Sequence, residues 1–184
     1  MRTASIAALG DAFRAWDTRP AAHRTAVVDA LFVALEEETD GELRETLGHG
    51  ATLLDIGRSI DFFDRYEHVA DIVISTDLLG FSHREVALLS ALVRNAGDES
   101  EDLGRYLPLL DKDDRRPVER AATLLALADE IEQRCAVGSP ATIECQLTKR
   151  EARLFVPGLV GWRPRRIGPR FEQAFGRRLV VSEK

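Results

Sequence analysis

Three ionisable side chains fall on the apolar stripes of three different predicted helices. His23 lies four residues before Val27 and eight before Leu31. Asp55 lies four after Ala51 and eight after Leu47, and Asp129 lies four after Leu125, seven after Ala122 and eleven after Val118. Helical spacing points each of them inward. A histidine and two carboxylates can ligate a divalent metal ion. A satisfied polar network, with protonated His23 between the acids or each group bonded to backbone, answers the same burial cost. Spacing alone leaves both readings open.

The remaining histidines carry weaker signals. His83 opens a capped helix, where it is either a phosphate contact or an exposed first-turn residue. His68 starts or caps a helix, and His49 has no evident partner in the sequence. Cys135 and Cys145 match neither a disulfide framework nor a metal pair and read as free thiols of a reducing compartment. A second candidate site is basic. Arg163, Arg165, Arg166, Arg170, Arg177 and Arg178 crowd the C-terminal stretch, either as an anion-binding surface or as a solvated charged face.

The elements that must position these groups are mainly helical. A short helix over 4–17 carries Ile6, Leu9, Phe13 and Trp16 on one face. Pro20 opens a second helix with Val27, Val28, Leu31, Phe32 and Leu35. A third is predicted over about 42–56, stopping at Gly57, and a fourth over 68–76. Ser82 and Glu85 form a capping box, flanked by Phe81 and Val86 at staple positions. A polar loop around Asp98–Asp102 leads to a long helix over 115–134 with Pro117 in its first turn. After Gly138-Ser139-Pro140 the period changes to two. Residues 143–147 and 154–156 read as paired strands about a hairpin at 149–151, followed by a helix over 169–175 and a closing strand at 179–181. The expected architecture is a mainly α bundle over 1–138 and a small α/β tail over 139–184 packed on it.

The 184 residues are 45% hydrophobic and 30% charged, enough apolar material for one core. No apolar run is long enough to span a bilayer, and the N-terminus lacks a secretory hydrophobic region, so the expected location is cytoplasmic. The net charge of −6 divides into +7 over 149–184 and −13 before it. The tail lacks the interleaved aromatics of a nucleic-acid platform beyond Trp162.

Several segments resemble the exopolyphosphatase/guanosine pentaphosphate phosphatase (Ppx/GppA) family. Gly80-Phe81-Ser82-His83-Arg84-Glu85 is identical to the family's GFSHRE element. Leu53–Gly57 (LLDIG) resembles LHDIG, Leu127–Glu132 (LADEIE) resembles LADGLD, and Phe171–Leu179 (FEQAFGRRL) resembles FEEVFGRPL. The resemblance implies an HD-type helical domain followed by a small α/β tail. It places His23, Asp55 and Asp129 at the first His, the paired Asp and the distant Asp of the HD metal constellation. Leu54 stands where the paired His belongs, so one ligand is missing, and Arg94-Asn95-Ala96-Gly97 replaces the family's RYHR.

The family's phosphatase chemistry belongs to two actin-like domains with Gly-rich phosphate loops and a catalytic glutamate, for which these residues leave no room. The resemblance therefore implies no polyphosphatase activity by the family mechanism. It implies a binding or regulatory module for polyphosphate or phosphorylated nucleotides, or an assembly subunit that pairs with itself or with a separately encoded catalytic chain. The alternative is an altered HD phosphohydrolase that holds Mg²⁺ or Mn²⁺ through His23, Asp55 and Asp129.

Overall fold

A computed structural model describes residues 1–36, 41–97, 103–106, 108–136, 143–159 and 161–182. The polar loop at 98–102 and the Gly138-Ser139-Pro140 break lie outside the described residues. Among those described, seven α-helices precede or surround one small sheet: α1 Arg2–Asp11, α2 Thr18–Leu35, α3 Gly41–Leu53, α4 Arg65–Ser75, α5 His83–Ala96, α6 Arg115–Glu132 and α7 Ile167–Phe175, with strands β1 Glu144–Leu147, β2 Glu151–Phe155 and β3 Arg178–Ser182. The expected mainly α architecture with an α/β tail is the one observed.

Local sequence explains most of the boundaries. Asp17 caps α2 by accepting from Arg19 N–H at 2.9 Å, and Pro20 falls in the first turn, where its missing N–H costs nothing. The capping box of α5 is complete: Ser82 Oγ accepts from Glu85 N–H at 3.2 Å, and Glu85 Oε2 accepts from Ser82 N–H at 2.8 Å. Helix α7 ends at Gly176, whose φ of 64° suits a residue without a side chain.

Two helices are shorter than their periodicity suggests. Helix α1 stops at Asp11 instead of near 17, because the chain folds back and Trp16 packs on Gly10, where a Cβ would lie 2.5 Å from the indole. Trp16 Nε1–H then donates to Thr52 O at 2.9 Å, tying the N-terminus to α3. Helix α3 tightens at Leu53 into a 3₁₀ turn over Leu54–Ser59. The reason is a close crossing: a Cβ on Gly57 would lie 2.2 Å from Arg65 O, so only glycine lets the chain pass the start of α4.

The core is one apolar cluster built from Leu31 and Phe32 of α2, Leu47 of α3, Leu89 and Leu92 of α5, and Leu124 and Leu127 of α6. The tail shares it through Ala152, Leu154 and Phe171, all fully buried. β1 pairs antiparallel with β2, and β2 pairs parallel with β3. A parallel pair needs a crossover, which α7 supplies. Glu151 belongs to β2 rather than to the turn, opposite Arg178 of β3.

Candidate functional site

The inward-facing acids do converge, and the group between them is an arginine. Arg24 sits on α2 four residues before Val28, seven before Leu31 and eleven before Leu35, on the same buried stripe. Its side chain is 0% exposed. The guanidinium Nη1 donates to Ala51 O at 2.9 Å and Nη2 to Asp55 Oδ2 at 2.9 Å. Nε lies 3.1 Å from Asp129 Oδ1, and Nη2 lies 3.5 Å from Glu132 Oε2. One cation thus bridges α2 to the end of α3, the 3₁₀ turn and α6.

Two further arginines complete the cluster. Arg58 Nε lies 3.0 Å from Asp55 Oδ1. Asp129 Oδ2 accepts from Arg65 Nη2 at 2.6 Å, from Tyr66 O–H at 2.8 Å and from Gln133 Nε2 at 2.6 Å. Burial pushes the Asp129 carboxyl up, but the charges of Arg24 and Arg65 and these hydrogen bonds outweigh it and hold the group below the ordinary aspartate range. Burial also opposes the charge on Arg24, and Asp129 and Asp55 overcome it, so the guanidinium is held more firmly protonated than usual. Glu132 is pushed up, by burial first and by Asp55 and Asp129 as well, against the pull of Arg24. Tyr66, buried beside Asp129, is raised and stays a neutral donor.

His23 takes no part in these contacts. It is half-buried on α2, and its Nε2 is buried without a hydrogen-bond partner. Leu54 is fully buried in the core. Among the described residues no group of three or more His, Cys, Asp or Glu is arranged to hold a metal ion. Arg24 stands between the oxygens of Asp55 and Asp129 and contacts both. Arg24 is absent from the sequence-derived site, although its spacing to Val28, Leu31 and Leu35 places it on the apolar stripe more squarely than His23.

Beside this cluster lies a cavity of about 540 Å³. Asp129, Arg65 and Tyr66 belong to both the cluster and the cavity wall. Five arginines line it: Arg65 of α4, Arg94 of α5, Arg134 just past α6, and Arg166 and Arg170 at α7. Four acids face them, Asp64, Glu67, Asp129 and Glu130. Phe62 and Phe63 form one lip. Arg94 is paired with Glu67 at 3.1 Å and with Asp71, and Arg134 pairs with Glu130 at 2.7 Å while stacking 4.9 Å over Trp162.

The six arginines of the basic tail divide. Arg166 and Arg170 line the cavity, whereas Arg163 and Arg165 are exposed beyond it. Arg170 donates to Gly97 O at 2.9 Å, to Thr123 Oγ1 at 3.2 Å and to Asn95 O, pinning α7 to the end of α5 and the middle of α6. Arg177 donates to Thr148 O at 3.0 Å, and Arg178 pairs with Glu151, so both fasten the sheet. His83 is exposed in the first turn of α5, and His68 is half-buried. His49 is buried edge-on against Phe81 at 5.3 Å, in a Gly48-His49-Gly50 spelling that lies inside α3 and forms no loop. Burial pushes the His49 imidazole below its usual range, with Glu45 pulling the other way. Cys135 and Cys145 are free and half-buried, and burial raises both thiols.

Fold and site together define a helical domain with a small α/β tail, whose inward acids are neutralised by the chain's own arginines. The sequence matches domain III of the Ppx/GppA phosphatases over residues 1–162, and the chain belongs to that family. The match ends before α7 and β3. No helix among the described residues is long and apolar enough to cross a membrane.

Proposed function

We propose that this chain is a non-catalytic binding module of the Ppx/GppA family, taking a phosphate-bearing ligand in the arginine-lined cavity. The observation that carries this is the convergence of five arginines, drawn from α4, α5, the end of α6 and α7, on one cavity. Guanidinium groups offer planar, fixed donors that match phosphate oxygens, and a recess strengthens each contact by excluding water. Family membership supports polyphosphate or a phosphorylated nucleotide as the ligand class.

Binding without turnover is supported by the neighbouring cluster. Hydrolysis through an ion held by Asp55 and Asp129 would need their oxygens free, and Arg24 bridges the two acids. Arg24 places a positive charge between the two acids, but it carries no water and cannot generate hydroxide. The test is a thermal-shift titration with inorganic phosphate, tripolyphosphate and a nucleoside monophosphate, against chloride at matched ionic strength. At least one phosphate compound should raise the melting temperature saturably in the parent and far less in the Arg134→Ala/Arg166→Ala variant. Equal responses to chloride and to every phosphate compound would refute the proposal.

A further inference from the structure

We infer that the cavity takes a compound with one phosphate and a planar ring, an aryl or nucleoside monophosphate, in preference to a chain of phosphates. This rests on the proposed anion-binding reading and narrows it. The first observation is charge. Five arginines face four acids across the lining, so the walls carry an excess of one positive charge. A single phosphate ester brings about −1.5 to −2 charges at neutral pH, which by itself already uses up that excess. Each additional phosphate would bring further negative charge to a wall that already holds Asp64, Glu67 and Glu130.

The second observation is the aromatic lip. Asp61 Oδ1 accepts from Phe63 N–H at 2.7 Å and from Asp64 N–H at 3.1 Å, which fixes the turn that carries both phenylalanines. Phe62 is clasped by two cations, with the Arg58 and Arg65 guanidiniums 5.3 and 4.9 Å from its ring centre. Phe63 stands edge-on to Phe62 at 5.6 Å and 90°, and is 85% exposed. A large apolar ring held in a fixed turn and left in water at the mouth of a cavity is a surface prepared for a partner. Its chemistry suits another flat ring, since aromatic faces stack in offset or edge-to-face geometry.

The third observation is size. The volume of about 540 Å³ lies in the range of small-molecule pockets, which run from about 300 to 1,000 Å³. A ring stacked on Phe63 at the lip would direct its phosphate inward to the guanidiniums of Arg134 and Arg166. Ring and charge are then read by separate parts of one wall.

The experiment compares dissociation constants for phenyl phosphate, a nucleoside monophosphate, inorganic phosphate and tripolyphosphate at one ionic strength. The ring-bearing monophosphates should bind about tenfold more tightly than inorganic phosphate, the order of factor that one stacked ring contributes. Tripolyphosphate should bind no more tightly than inorganic phosphate. Phe63→Ala, at an exposed position and with an unchanged circular dichroism spectrum as the control for folding, should remove the ring's advantage while sparing inorganic phosphate. Tighter binding of tripolyphosphate than of either ring compound overturns the inference, as does a ring advantage that survives Phe63→Ala. Binding of all four compounds without ring preference overturns this inference alone. Binding of none overturns the anion-binding reading as well.

Discussion

Replacing Arg24 by alanine tests whether the buried cluster is held together by its own cation. The side chain is 0% exposed and contacts Ala51 O, Asp55, Asp129 and Glu132. Truncation leaves Asp55 keeping Arg58, and Asp129 keeping Arg65, Tyr66 and Gln133, so neither acid is stripped bare. Removing one partner of a buried ion pair costs about 3–5 kcal/mol, because the remaining charge stays desolvated. At this chain length, each kcal/mol lowers the melting temperature by about 2–4 °C, so the variant should melt roughly 6–20 °C below the parent. Arg24→Lys keeps the charge but loses the forked donors, and should fall between the two. A hard divalent cation should recover part of the loss in Arg24→Ala, since the vacated space is walled by oxygens, and should leave the parent unmoved. The assay is thermal denaturation followed by circular dichroism, with and without Mn²⁺. A melting temperature for Arg24→Ala within about 2 °C of the parent would refute the reasoning, since it would mean that the buried charges cost and contribute almost nothing.

Four further outcomes follow from other parts of the structure. Leu54→His, which puts a histidine beside Asp55, should leave the protein without a Mn²⁺-dependent thermal shift, because Arg24 still engages Asp55 and Asp129; a clear shift in that variant would contradict the role given to Arg24. Gly57→Ala should destabilise by at least about 2 kcal/mol in chemical denaturation, as overpacking against a backbone carbonyl does, and a neutral result would show that the α4 crossing is looser than its geometry. Ser82→Ala should cost about 1 kcal/mol through loss of the α5 cap. The fourth is a pH effect. His49 is held below its ordinary value of 6.5, so the unfolded chain takes up a proton first as pH falls, and stability should decline from about pH 6.5 downward until the folded imidazole also titrates. His49→Phe should flatten that decline in a pH series of melting temperatures, and an unchanged slope would exclude His49 as its source.

The fold was legible wherever one local rule acted alone. The Ser82/Glu85 box and Pro20 in a first turn appear where the residues place them, and strands follow residue 142 as expected, although β2 begins at Glu151, inside the expected hairpin. Boundaries set by tertiary contact were not legible. Trp16 packing on Gly10 ends α1 early, and the crossing at Gly57 turns the last stretch of α3 into a 3₁₀ turn. The candidate site shows the same division. Asp55 and Asp129 were readable as buried acids from their register, and both are fully buried. Arg24 carried the same signal through Val28, Leu31 and Leu35, but arginine on an apolar stripe usually snorkels outward, and only the three-dimensional arrangement shows that it has acids to meet. The C-terminal arginines looked alike in sequence; geometry separates Arg166 and Arg170 at the cavity from Arg177 and Arg178 at the sheet.

The central claim, that the cavity binds a phosphorylated compound and does not hydrolyse it, is tested most directly by phosphorus-31 NMR. The protein is titrated into a nucleoside monophosphate in the presence of Mg²⁺. The account expects the phosphate resonance to shift or broaden with protein, to recover in the Arg134→Ala/Arg166→Ala variant, and to remain that of the intact ester throughout. A resonance that does not respond to protein would contradict binding. Growth of an inorganic phosphate signal that vanishes in Asp129→Ala would contradict the non-catalytic reading.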